Sequence, residues 1–243
     1  MMRRIFAGFE AMEKDLLKYV LVPVNRAGWP FIAGALLLAV ILALVWPPLV
    51  WLGLLLAAFC TYFFRDPDRF VPVRPGLVVS PADGLVSAVE PAVPPAELGM
   101  GDVSLMRVSI FLSVFDVHVN RVPTDGTITE LAYHEGAFLN AAMDKASDLN
   151  ERQSVRMTTS DGREIAFVQI AGLIARRIIC NLTHGQSVRG GERFGLIRFG
   201  SRTDIYLPDG VAPMVIVGQR MIGGETIIAD LTSSEEIRAG EIR

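Results

Sequence analysis

"GLIRFGSRTDIYLP" (195–208) carries Ile197, Phe199, Ile205, Tyr206 and Leu207, β-branched and aromatic bulk that reads as strand, and Pro208 closes the run. Gly200-Ser201 interrupts it at the centre. A glycine inside a strand pattern marks a bulge or a close backbone approach. The same strand character recurs in "GLVVSPADGLVSAV" (76–89), "MRVSIFLSVFDVHVNRVP" (106–123), "GTITELAYHEG" (126–136), "REIAFVQIAG" (163–172) and "RRIICNL" (176–182). Asp83-Gly84, Asp125-Gly126 and Asp161-Gly162 are turn signals of the hairpin type. Close strand spacing with few helices predicts a mainly β domain, β-rich α+β, closed as a barrel or stacked as a sandwich. The segment "AFLNAAMDKASDLNERQ" (137–153) lacks strand character and reads as a loop with a helical turn.

The front of the chain is of another kind. No charged residue occurs from Ala27 to Phe64, and the run is broken by Pro47-Pro48. One helix of that length would overshoot a bilayer core of about 30 Å, whereas each half falls somewhat short of a full span. Proline clashes with the preceding turn and removes a donor, so a helical hairpin is expected, with a single span as the alternative. Arg26 before it and Arg65 and Arg69 after it favour both ends being cytoplasmic. Ahead of the hairpin, Ile5, Phe9, Met12, Leu16 and Val20 make one apolar helical face, which suits an interfacial helix or one packed on the protein. The boundary is placed near 65–75, giving a membrane-associating part (1–68) and a β-rich part (69–243).

With 243 residues, 51% hydrophobic, 20% charged, and a mean hydropathy of +0.40, the chain is too apolar for an ordinary soluble domain. It is also too charged for a multi-span transporter. A formal net charge of −3 offers no footprint for nucleic acid. Cys60 and Cys180 have the spacing of neither a zinc site nor a disulfide framework.

Three places carry candidate chemistry. Asp83 in "SPADGLV" reads first as a turn aspartate. In "FDVHVNRVP" a continuous strand would put Asp116, His118 and Asn120 on one face and Phe115, Val117 and Val119 on the other. Ser201 would become a nucleophile only with a base to take its proton, such as His118 oriented by a carboxylate. His134 and His184 sit in turn-like settings and read as solvated.

At these residues the sequence resembles the phosphatidylserine decarboxylases, in their short form. The carriers are "SPADG" (80–84), "FLSVFDVHVNRVP" (111–123), "LNERQS" (149–154), "QIAGLIARRI" (169–178) and "RGGERFGLIRFGSRTDIYLP" (189–208). The resemblance implies that the serine attacks the carbonyl of Gly200 and that the resulting ester is eliminated. The dehydroalanine so formed hydrolyses to a pyruvoyl group. The chain would then consist of a β part (1–200) and an α part (201–243), paired as a heterodimer, with a higher oligomer left open. It implies Ser201 as source of the prosthetic group, His118 as base and Asp83 as its orienting carboxylate. The pyruvoyl group would form a Schiff base with phosphatidylserine in the membrane and release CO2, with His118 as the proton donor, giving phosphatidylethanolamine. Neither metal nor external cofactor is implied. The longer members often carry Leu-Gly-Ser-Thr and a second histidine, where this chain has Phe199-Gly200-Ser201-Arg202 and Arg121. "HGQSVRGGERFGLIRFGS" (184–201) further resembles the turn-and-hairpin pattern of lipoyl-type hybrid barrels.

A membrane-anchored lipoyl-like binding module without chemistry is the competing reading. Its carrier version needs an acceptor lysine on a hairpin tip, and Lys145, alone beyond residue 18, lies outside any such hairpin. Within the enzyme reading, an ether-linked serine phospholipid stays open. Arg176, Arg177, Arg198 and Arg202 are the candidates for the lipid phosphate.

Overall fold

A computed structural model describes residues 22–136, 150–172, 177–198 and 200–241. The expected helix over 3–20, most of the 137–153 segment and Arg176 lie outside them. The chain divides into two compact units, residues 1–68 and 69–243.

The first unit is a helical hairpin, α1 (Trp29–Val45) and α2 (Val50–Phe63), joined through a 3-10 turn at Pro47–Leu49. Trp46 is extended, φ −157° and ψ 116°, as a residue before proline must be. The double proline thus ends α1, as the sequence implies. The helices pack where side chains are smallest: a Cβ on Gly53 would stand 2.4 Å from the Ala39 Cα. At the open end Asn25 N–H donates to the Phe64 carbonyl (2.8 Å) and Asp66 N–H to that of Pro23 (2.7 Å), so entry and exit meet. Leucines, valines and tryptophans on both helices remain exposed.

The second unit is almost entirely antiparallel strand. Its elements are β1 (Leu77–Val79), β2 (Gly84–Ala92), β3 (Leu105–Leu112), β4 (Val119–Arg121), β5 (Gly126–His134), β6 (Arg152–Thr158) and β7 (Glu164–Ala171). They continue with β8 (Ile178–Cys180), β9 (Ser187–Val188), β10 (Arg193–Ile197), β11 (Ser201–Tyr206), β12 (Arg220–Met221) and β13 (Ile227–Asp230). One eight-stranded sheet has the order β12-β2-β3-β11-β7-β6-β5-β9, a three-stranded sheet the order β4-β10-β8, and β1 pairs with β13.

Alternation along the strands gives the large sheet two faces. Val108, Ile110, Ile165, Phe167 and Ile205 lie on the inner one, in the main core. Phe194 of β10 meets Phe167 of β7 edge to face at 5.1 Å, so the small sheet covers that inner face. Ala166, Val168, Ile170 and Tyr206 lie on the outer face under Leu98 and Leu105. The β-rich α+β expectation holds.

Two details differ from the sequence reading. Of the three Asp-Gly signals only Asp161-Gly162 closes a hairpin, β6 to β7, with Gly162 at φ 84°. Gly126 instead opens β5, where a Cβ would lie 2.5 Å from the Thr158 carbonyl oxygen. The run 106–123 is also not one strand. It breaks after Leu112 because the Asp116 carboxylate accepts from Ser113 N–H (2.9 Å) and Oγ (2.7 Å), closing a turn.

Candidate active site

The opening stretch is two strands, not one. β10 ends at Ile197 in the small sheet and β11 begins at Ser201 in the large one, so Gly200 lies where the chain changes sheets. Gly200 has φ +73°, and a Cβ there would touch nothing within 4 Å. Its requirement is torsional: the left-handed region penalises any side chain.

Ser201 pairs with Leu112 on one side and Ala171 on the other. Its side chain belongs to the inner face and is fully buried, and its Oγ has no hydrogen-bond partner among the described residues. A buried hydroxyl is rarely left so.

His118 reaches the same point from the small sheet. It is fully buried. Its Nδ1 lies 3.0 Å from the Asp116 carbonyl oxygen and its Nε2 3.4 Å from the Gly200 nitrogen. A carbonyl can only accept and an amide N–H can only donate. Nδ1 therefore carries the proton, and the Nε2 lone pair faces the peptide at Gly200.

Asp83 immediately precedes β2, which β3 alone separates from β11, so it stands about two strand spacings, ~10 Å, from Ser201. Its carboxylate accepts from Arg69 (2.7 and 2.9 Å) and from Gly223 N–H (2.8 Å). Burial pushes its pKa above the usual carboxylate value against the pull of Arg69 and Gly223, and neighbouring Asp116 acts in the same direction as burial. Arg220 closes the outer side, paired with Asp116.

His118 and Gly200-Ser201 are thus together, with Asp83 at the same end of the sheet and held by other partners. Arg121, at the place of the longer members' second histidine, is buried and donates to the Gly191 carbonyl (2.9 Å). Arg202 is buried against Asp204 at 2.9 Å, which sets it apart from half-buried Arg198 and exposed Arg177 as a phosphate candidate. His134 and His184 are exposed. Sequence reasoning missed Arg69 and Gln169. The one sits in the charge cluster "RDPDR" (65–69), the other is a lone amide in the apolar run "EIAFVQIAG" (164–172).

The β-rich unit thus buries a serine hydroxyl and a histidine beside a left-handed glycine, the arrangement of a nucleophile, a base and a backbone peptide within reach of both. The sequence model of the phosphatidylserine decarboxylase family matches residues 56–229. A phosphatidylserine decarboxylase proenzyme of Paramagnetospirillum magneticum is 60% identical over 96% of this chain and 98% of its own. Proenzymes of the same description from Cereibacter sphaeroides (56% identical, 96% and 100% covered) and Rickettsia bellii (56%, 89% and 92%) are similar along most of their length. The chain belongs to the phosphatidylserine decarboxylase family, and its reaction is that of a lyase.

Proposed function

We propose that the chain is a precursor that cleaves itself between Gly200 and Ser201 and thereafter decarboxylates phosphatidylserine to phosphatidylethanolamine. The observation that carries this reading is the buried Ser201 Oγ, without a partner among the described residues, directly after a left-handed glycine whose N–H points at His118 Nε2.

His118 Nε2 accepts the hydroxyl proton as Oγ attacks the Gly200 carbonyl carbon, and the peptide bond becomes an ester. Loss of the Ser201 Cα proton expels the Gly200 carboxylate. Hydrolysis of the remaining double-bonded residue releases ammonia and leaves a pyruvoyl group at the start of residues 201–243. The Asp116 carbonyl holds His118 in the reactive tautomer, and Asp83 is the carboxylate that steadies the charge His118 acquires. The residues fit the group: Ser201 is enclosed and stands beside His118, which can move a proton there. A pyruvoyl group supplies a ketone that condenses with a primary amine and takes up the electron pair as CO2 leaves. His118 then returns a proton to the carbon that lost CO2.

The hairpin supports a membrane setting. The helix Arg26–Val45 has a mean hydropathy of 2.4 and the length to cross a membrane. At 1.5 Å per residue the returning arm, α2, is about 21 Å long, short of a bilayer core of about 30 Å. We place the enzyme on the cytoplasmic side of the cell membrane, with the hairpin dipping in and returning, so that it meets its lipid at high local concentration.

Intact mass under denaturing conditions tests the reading. Two chains meeting at 200/201, the smaller lighter by one ammonia than a serine-started peptide, are expected from wild type, and one whole chain from Ser201→Ala. A wild-type chain that stays whole in lipid and detergent removes the prosthetic group and with it the reading.

A further inference from the structure

The inner face beside Ser201 holds a polar side chain that the steps above do not use. Thr203 and Ser201 of β11 pair with Gln169 and Ala171 of β7, so Gln169 and Ser201 project from the same face one diagonal step apart. That spacing is about 7–8 Å, within reach of a long side chain. Gln169 is fully buried. Its neighbours fix which way its amide points: Nε2 lies 2.8 Å from Asn120 Oδ1 and 3.3 Å from the Ile179 carbonyl oxygen. A backbone carbonyl can only accept, so the nitrogen end must face it and Oε1 must face away. Asn120 is itself tied to Thr203 Oγ1 at 3.5 Å. Gly195 leaves the room, since a Cβ there would stand 2.9 Å from Gln169 Nε2.

Four strands thereby hold one amide whose Oε1 is buried without a hydrogen-bond partner among the described residues. Leaving an acceptor buried and unmet is costly. Ser201 Oγ, a donor on the same face, has no partner among the described residues either, so in this structure Gln169 does not hold the hydroxyl. We propose that Gln169 Oε1 receives an N–H of the substrate's primary amine and sets that nitrogen against the carbon derived from Ser201. No bond forms or breaks at Gln169. The assignment rests on the self-cleavage reading.

The full-length protein with Gln169→Met, which keeps the volume, and with Gln169→Asn, which withdraws the oxygen by one carbon, tests this. Two quantities are read by mass: the fraction cleaved, and the rate at which borohydride fixes phosphatidylserine to the 201–243 fragment. Both variants are expected to cleave to the wild-type extent. Trapping should slow about fivefold, as for loss of an ordinary hydrogen bond. Wild-type trapping in either cleaved variant overturns the assignment alone. If neither variant cleaves, Gln169 serves processing or the core and the assignment also falls. A wild-type chain that never cleaves sinks the self-cleavage reading and this assignment with it.

Discussion

Gly200 is held by its backbone alone. With open space at its missing Cβ, Gly200→Ala should fold with a loss of about 1 kcal/mol, the ordinary cost of a side chain at positive φ. Self-cleavage should nevertheless slow at least tenfold, because relaxing that torsion moves the carbonyl from Ser201 Oγ. A time course of fragment appearance after denaturing electrophoresis checks it. Asp83→Asn should likewise slow cleavage while leaving a folded chain, and cleavage at the wild-type rate would remove Asp83 from the reaction. The residue types of this site were legible: a serine behind a glycine, and a histidine among apolar neighbours. Their arrangement was not. Arg69 meets Asp83 across 14 positions and Gln169 meets Asn120 across 49, and no local pattern encodes contacts of that range.

Most strands were legible from their apolar runs, and the differences fall where single residues break them: Gly126 opens a strand and Gly200 marks a change of sheet. Asp116 turns the chain inside an apparently continuous strand. The 3-10 turn Ala96–Leu98 is pinned comparably to the outer face: Glu97 accepts from Arg152 Nε (2.7 Å) and Ser154 Oγ (3.0 Å). Burial works to raise the Glu97 pKa, but these bonds outweigh it and hold the value at about 2, against 4.5 for the free side chain. A folded value below the unfolded one gives stability that is complete above pH 4.5 and fades as pH falls toward about 2. Thermal melts from pH 6 to 3 should therefore show a steeper acid loss in wild type than in Glu97→Gln, which lacks this titration. In the hairpin, Gly53→Leu has no room against Ala39 and should splay α1 from α2. Cysteines introduced across that contact should then lose their crosslink.

The two units treat their apolar side chains differently: the hairpin leaves many of them exposed and the second unit buries them in clusters. Deleting residues 22–64 should leave the second unit's core clusters untouched, since their members all lie beyond residue 77. The protein should then move from membrane to soluble fraction, and turnover on vesicles should fall far more than turnover on detergent-dispersed substrate. The composition shifts near residue 65, where one long apolar run gives way to short alternating ones.

The small sheet laid over the large one is a matter of long-range pairing, and β11 shows what that pairing entails. It runs between β3 and β7, while β12 and β13 pair with β2 and β1. Every strand of residues 201–243 is thus woven among strands of residues 1–200. With the proposed cut at 200/201 made, the halves would stay together only as long as the sheet does. Unfolding then becomes dissociation, and the two pieces must find each other again in solution. Precursor refolding should be independent of concentration, whereas the mature enzyme should refold poorly when dilute. Its working life is set by how slowly it first comes apart.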